Sequence, residues 1–253
     1  MEEKHKKQML RYGLIGKDIA YSFSRNYFKN KFEAENIANT TYENFDIKTI
    51  SIFKTELKQE QNVRGFNVTI PYKESIMPFL DKLNKKAKAI GAVNTIRITK
   101  KGKYIGYNTD YYGFKKSLKP LLKKHHKKAL ILGTGGASKA IAFALKSLNI
   151  EYAFVSRSAS KKVKFTYNDL SESVIKSHQI IINSTPLGTF PDIENCPDIP
   201  YQALTKQHIL FDLIYNPSKT KFLKLGKQKN TTTINGLKML ELQAEKSWQI
   251  WNK

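Results

Sequence analysis

Residues 128–148, KALILGTGGASKAIAFALKSL, constrain this chain more than any other stretch. An apolar run of strand length stops at Gly133, two further glycines follow, and apolar residues then recur at helical spacing. A buried parallel strand, a tight glycine turn and a helix meet that pattern. EYAFVSRS, QIIINST and HILFDLIY supply further strands, with helical or irregular segments between them. A Rossmann-type unit is therefore expected to open near residue 128.

The first half also alternates short apolar runs with amphipathic stretches, which makes the whole chain α/β with largely parallel sheets. Strands are expected at 10–15, 41–47, 63–70, 92–98 and 103–107, and helices at 24–37, 48–60 and 81–90. Lys100–Lys101–Gly102–Lys103 reads as a hairpin turn, so one edge of that sheet should be antiparallel. Residues 236–253 carry Leu237, Leu240, Leu242, Trp248 and Trp251 at helical spacing. With 253 residues, one large or two modest cores are possible.

No apolar run is long enough to span a bilayer. The start, MEEKHKKQML, lacks the apolar stretch of a secretory signal, and the single cysteine, Cys196, suits a reducing compartment. A cytoplasmic location is the expectation. The five histidines form no metal-ligand spacing, and His125–His126 falls in a lysine-rich stretch that reads as a solvated connector. No metal is expected. The net charge of +23 raises nucleic acid or an anionic membrane as a partner. Its lysines are scattered, and no aromatic-interleaved basic patch accompanies them, so a lysine-rich surface is the reading adopted. No specific nucleic acid and no membrane partner are expected, and the protein should be a monomer or homodimer.

Gly133, Gly135 and Gly136, with Ala137 and Ser138, stand where a dinucleotide pyrophosphate could meet a helix N-terminus. Ser138 replaces the third glycine of the usual fingerprint. About 20 residues on, an NAD site places a carboxylate for the ribose hydroxyls. Here Val155 is followed by Ser156, Arg157, Ser158, Ala159, Ser160 and Lys161, with no acid. A guanidinium, hydroxyls and an ammonium suit a 2′-phosphate, so NADP is the expected cofactor.

Four other segments place small polar groups at strand ends: Ser22–Phe23–Ser24, GFNVTIPYKE (65–74), GAVNTI (91–96) and GYNTD (106–110). Together they suit a polyhydroxylated, anionic small molecule. Lys73 and Asp110 are the opposite charges among them, hence the natural proton-transfer pair.

In these motifs, with INSTPLG (182–188), DLIYNP (212–217) and NGLKMLELQA (235–244), the sequence resembles the shikimate dehydrogenase family over nearly its whole length. The resemblance implies NADPH-dependent reduction of 3-dehydroshikimate to shikimate in aromatic amino-acid biosynthesis. It implies a substrate domain of 1–112 plus 236–253 and a Rossmann-like NADP-binding domain of 113–235. Ser22 and Ser24 would hold the substrate carboxylate. Asn67, Thr69, Asn94 and Gln243 would serve its hydroxyls or line its pocket, and Tyr215 would lie between substrate and nicotinamide. Lys73 and Asp110 would be the catalytic pair. Gly133, Gly135, Gly136, Ala137, Ser138, Thr185 and Gly236 would face the cofactor, with Ser156, Arg157 and Lys161 at its 2′-phosphate.

The family's Pro-Ile-x-His-Ser-x-Ser-Pro appears here as Asp18-Ile19-Ala20-Tyr21-Ser22-Phe23-Ser24-Arg25, without either proline or the histidine. That bears on the rigidity of the carboxylate site. Two rivals stand beside this reading: an NAD-preferring quinate/shikimate dehydrogenase, and a non-catalytic NADP-binding regulator with a basic nucleic-acid-binding surface.

Overall fold

A computed structural model describes residues 9–20 and 22–253. The start of the chain, on which the expected lack of a secretory signal rests, and Tyr21 of the serine motif lie outside the described residues. The chain divides into two compact units, residues 1–109 with 244–253 and residues 110–243.

The first unit contains β1 (Leu10–Gly16), α1 (Phe23–Ala34), β2 (Thr40–Asp46), α2 (Ile52–Thr55), β3 (Val63–Val68), β4 (Lys82–Leu83), α3 (Lys85–Ile90), β5 (Thr95–Ile98) and β6 (Tyr104–Tyr107). They form one six-stranded sheet in the order β2-β1-β3-β5-β6-β4. β1 is parallel to both neighbours, whereas β5 is antiparallel to β3 and to β6. The expected hairpin turn is present, with Gly102 N–H donating to Thr99 O, but its antiparallel strand lies inside the sheet rather than at an edge.

The long helix expected at 48–60 is instead α2 followed by a 3₁₀ turn, Leu57–Gln59. Phe53 and Leu57 still share one buried face, so the apolar spacing is met by two short turns. α3 starts late because Asn84 caps it, its side chain accepting from Lys86 N–H, and residues 82–83 pair with β6.

The second unit contains α4 (Asp110–Leu118), β7 (Lys128–Leu132), α5 (Gly136–Lys146), β8 (Glu151–Ser156), β9 (Phe165–Thr166), α6 (Glu172–Ser177), β10 (Ile180–Asn183), β11 (Ile209–Asp212), α7 (Lys221–Gln228), β12 (Thr232–Ile234) and the first part of α8 (Leu237–Trp251). Its sheet is wholly parallel, in the order β12-β11-β10-β7-β8-β9. The winding direction reverses between β7 and β10. Ligands of open parallel sheets bind outside the strand C-termini at such a switch point.

From Ala244 onward α8 belongs to the first unit. There Trp248 and Trp251 pack with Tyr12, Phe28 and Phe32, and Trp251 Nε1 donates to Ile96 O at 2.9 Å. The last helix therefore completes a core whose other residues lie two hundred positions earlier.

The histidine pair departs from its sequence reading. His125 is exposed, but His126 is 6% exposed. Its Nδ1 accepts from Lys123 N–H at 2.8 Å, so its Nε2 is the nitrogen that donates to Gln207 O at 3.0 Å. Burial pushes its pKa down, as it does for His178. Below the ordinary histidine value of about 6.5, the unfolded chain takes up protons that these folded rings resist. Their contribution is thus present above that pH and lost as pH falls. Glutamine keeps a donor and an acceptor at this position without titrating. His126→Gln should therefore show a smaller fall in melting temperature than wild type between about pH 7 and about pH 5.5. Equal falls would show that His126 carries no part of the acid sensitivity.

Among the described residues no helix is long and apolar enough to cross a membrane, and no three metal-ligating side chains form a group that could hold an ion.

Candidate functional site

In the first unit the polar strand-end segments converge on a buried network. Asn67, one residue before the end of β3, is 3% exposed. Its Oδ1 accepts from Tyr42 Oη at 2.8 Å, and its Nδ2 donates to Asn94 O at 3.2 Å, Thr95 Oγ1 at 3.3 Å and Ser247 Oγ at 3.0 Å. Asn94 in turn has Oδ1 on Thr109 N–H at 2.6 Å and Nδ2 on Thr109 Oγ1 at 3.0 Å. Burial pushes the Tyr42 phenol up, with a Ser24 hydrogen bond opposing it. A continuous chain of hydrogen bonds thus runs from Tyr42 through Asn67 to Thr95, Ser247, Thr109 and Asn94.

Both ends of the Asn67 amide are therefore engaged inside the protein. A buried polar network satisfied in this way fixes the positions of its members. The residues that sequence reasoning missed are Tyr42, Thr95, Thr109 and Ser247. Thr95 and Thr109 stand inside two recognised motifs, and Ser247 lies one helical turn beyond Gln243, so those three had a signal. Tyr42 had none, being one tyrosine of thirteen.

Ser22 is half-buried and caps α1, its Oγ accepting from Arg25 N–H at 3.4 Å. Both serines thus lie at the positive end of a 12-residue helix. The approach to that helix is fixed without proline. Asp46, at the end of β2, accepts from Asp18 N–H at 2.9 Å and Ile19 N–H at 3.1 Å, while Asn44 Nδ2 donates to Ile19 O at 2.9 Å. Asp18 is thereby held at φ 56°.

Beyond β3, Thr69 N–H donates to Ile15 O and Thr69 O accepts from Tyr72 N–H, each at 2.9 Å. Tyr72 is buried with its Oη on Ile47 O at 2.7 Å, and Val93 N–H donates to Lys73 O at 2.7 Å. The half-buried Lys73 is therefore mounted on a turn anchored to three neighbouring segments.

In the second unit, the buried Asp110 opens α4, where a carboxylate is favoured by the helix dipole. One turn on, a side chain at Gly113 would collide with Met239 O, so α4 and α8 touch closely there, beside the buried Gln243.

The glycine turn lies at the C-terminal edge of β7. Gly133 has φ 100°, and a Cβ there would come within 3.0 Å of Ser184 and Thr185. Gly135, by contrast, faces open space and begins α5 with no side-chain cap. The Gly136 and Ala137 amides of the first helical turn therefore stand beside an uncrowded surface. Ser138 does not share that exposure. It is 1% exposed, and its N–H and Oγ both donate to Gly135 O, at 3.0 and 2.6 Å. Its hydroxyl and amide brace the turn on which the Gly136 and Ala137 amides stand.

Register places Leu132 opposite Val155, so the turn after β8 shares this edge with the glycine turn. Ser156 is half-buried there, while Arg157 and Lys161 are exposed and form no ion pair among the described residues.

On the other side of β7, Asn183 and Asp212 stand opposite each other at the ends of β10 and β11. Thr185 N–H and Oγ1 both donate to Asn183 Oδ1, at 3.0 and 2.6 Å. Asp212 is fully buried, and burial pushes its pKa up to about 6. Half-buried Tyr215 follows on a loop pressed against Gly236, whose N–H donates to Ile214 O at 2.9 Å and whose Cβ would collide with Leu213 O. Any side chain at Gly236 would displace that loop.

Residues 14–96 match the shikimate dehydrogenase substrate binding domain family. The chain is 40% identical over 257 residues to shikimate dehydrogenase (NADP(+)) of Methanococcus maripaludis, covering 94% of this chain and 90% of that protein. A shikimate dehydrogenase crystal structure from Peptoclostridium difficile matches with a TM-score of 0.83 and 39% identity, over 96% of this chain and 92% of that one. The Thermus thermophilus enzyme, solved with NADP(H) and shikimate, matches with a TM-score of 0.84 and 29% identity, over 96% and 93% of the two chains.

Proposed function

This chain belongs to the shikimate dehydrogenase family, and we propose that it interconverts shikimate and 3-dehydroshikimate through two sets of its own residues. Its activity is that of an NADP-dependent oxidoreductase of the shikimate pathway. The observation that carries the division of labour is the buried network from Tyr42 to Asn94, which joins residues of the 65–74, 91–96 and 106–110 motifs with Ser247.

Ser22 and Ser24 hold the substrate carboxylate at the start of α1, where hydroxyl donors and the helix dipole both favour an anion. Thr69, Asn94 and Gln243 serve the ring hydroxyls, and Asn67 keeps Asn94 and Thr95 in register. Lys73, acting with Asp110, transfers the proton at the oxygen of the reacting carbon and stabilises negative charge there.

The second unit fits a phosphorylated dinucleotide. Gly135 leaves room for close approach, α5 offers uncapped amides, and Arg157 with Lys161 supplies unpaired positive charge beside Ser156. Gly133 and Thr185 shape the turn on one side, and Tyr215 and Gly236 the loop on the other. NADPH supplies the hydride when bound. The reducing direction and a cytoplasmic location are part of the same proposal.

Purified protein given shikimate and NADP⁺ should form NADPH, and much more slowly NADH when given NAD⁺. Absence of NADPH formation over a full range of shikimate concentrations would remove the assignment.

The approach to Ser22 yields a separate expectation. Asp46→Ala removes two hydrogen bonds to a charged acceptor, and Asp18 loses its restraint. The Michaelis constant for shikimate should rise by up to about tenfold, with the NADP constant unchanged. An unchanged shikimate constant would show that the loop holds its shape without Asp46.

A further inference from the structure

Asp212 is a fully buried carboxylate with no cation beside it among the described residues. Three donors from three segments meet it. Oδ1 accepts from Asn183 Nδ2 and from Ile214 N–H, each at 3.1 Å, and Oδ2 accepts from Thr220 Oγ1 at 2.6 Å. Thr220 is itself the cap of α7, accepting from Leu223 N–H at 3.4 Å. The neighbouring titratable side chain is Tyr201, from the 3₁₀ turn Tyr201–Ala203, with Cys196 and Asp198 near that phenol.

An amide side chain can present either end to its surroundings. A pure acceptor on one side removes that freedom. Because Asp212 can only accept when ionised, Asn183 must turn Nδ2 towards it, and Oδ1 is left facing Thr185. That orientation gives Thr185 both of its bonds to Asn183 Oδ1, while Nδ2 also donates to Leu187 O at 3.3 Å. The same carboxylate fixes Ile214, the residue before Tyr215.

We propose that Asp212 is a positioning residue for the cofactor side of the reaction, orienting Asn183 so that the 183–188 loop and the Tyr215 loop are held in one arrangement. It acts through Asn183 and Ile214 and touches no ligand itself. The inference rests on the reading that Thr185 and Tyr215 face the cofactor.

Asn183→Asp tests the orientation directly. The new carboxyl carries at most one proton, so it cannot donate to both Asp212 and Leu187 O as the amide does, and once ionised it repels Asp212. At about pH 8 its dissociation constant for NADP⁺, measured by calorimetry, should be at least about tenfold higher than that of wild type. Shikimate affinity should stay within about twofold, a split that general loss of structure would not give.

Thr220→Val and Thr220→Ser provide a second route should Asn183→Asp not fold. Valine should weaken NADP⁺ binding several-fold and serine, which keeps the hydroxyl, should restore it. If wild type binds NADP⁺ and both Asn183→Asp and Thr220→Val bind it equally well, the positioning role is wrong while the assigned function stands. If wild type itself does not bind NADP⁺, both fall together.

Discussion

Lys73→Ala should lower turnover at least about a hundredfold, with a much smaller change in shikimate affinity measured by calorimetry. The asymmetry follows from how the first unit is built. Tyr42, Asn67, Thr95, Asn94, Thr109 and Ser247 hold one another through hydrogen bonds among themselves. The turn carrying Lys73 is anchored by main-chain bonds and by the Tyr72 phenol, so truncating the side chain leaves its mounting in place. In the proposed mechanism what disappears is the proton donor and the positive charge at the reacting oxygen. General acid–base help is worth about 10²–10⁴ in rate, and a lost electrostatic donor costs a similar factor. Both roles reside in one side chain, so the factors need not multiply. Asp110→Asn should also slow turnover, and the double variant should be little worse than the worse single one, since paired groups act as a unit. Near-normal turnover in Lys73→Ala, or losses that multiply, would dissolve the pair.

The glycine turn at 133–136 made the parallel sheet of the second unit readable from sequence, because a turn of that composition between an apolar strand and a helix has few alternative structures. The weak points were short edge elements. β4, β9 and β12 contain two or three residues each, too few for any period to declare itself. Polar motifs marked where the candidate site lies but not what each member does. Asn67 and Ser138 show why: nothing in an isolated asparagine or serine says whether its donors turn inward or outward. Only the packed backbone decides that Asn67 ties three segments together and that Ser138 closes its own turn. Asp46 is a similar case. Two missing prolines suggested a looser serine loop, yet a carboxylate 27 to 28 residues away holds the same backbone through two N–H groups. A rigid ring and a well-placed acceptor are different sequences for one local restraint, and only the first is visible as a motif.

Arg157→Ala should weaken NADP⁺ binding by about 10- to 100-fold while leaving NAD⁺ affinity within a few-fold of wild type. The two cofactors differ by one phosphate on the adenosine ribose, so any residue that separates them must act on that group. At the end of β8 the chain offers no carboxylate to hold a free 2′-hydroxyl, and an acid there would repel the phosphate. It offers exposed Arg157 and Lys161 beside Ser156, on the same sheet edge as the glycine turn. A planar guanidinium can donate two parallel bonds to phosphate oxygens, which an ammonium cannot match. Losing a charge-assisted hydrogen bond costs about 1.5–3 kcal/mol, the source of the 10- to 100-fold range. Solvent exposure places the single-bond limit nearer the lower value, and a bidentate contact nearer the upper. Arg157→Lys distinguishes the two geometries. It keeps the charge but not the fork, so it should recover only part of the loss if the contact is bidentate and nearly all of it if charge alone matters. Lys161→Ala should produce a smaller NADP-selective loss that shrinks with added salt, as expected for a point charge acting over several ångströms. Equal weakening of NADP⁺ and NAD⁺ by Arg157→Ala would mean that Arg157 supports the turn after β8 without reading the phosphate, and the preference for NADP would have to originate elsewhere on that edge.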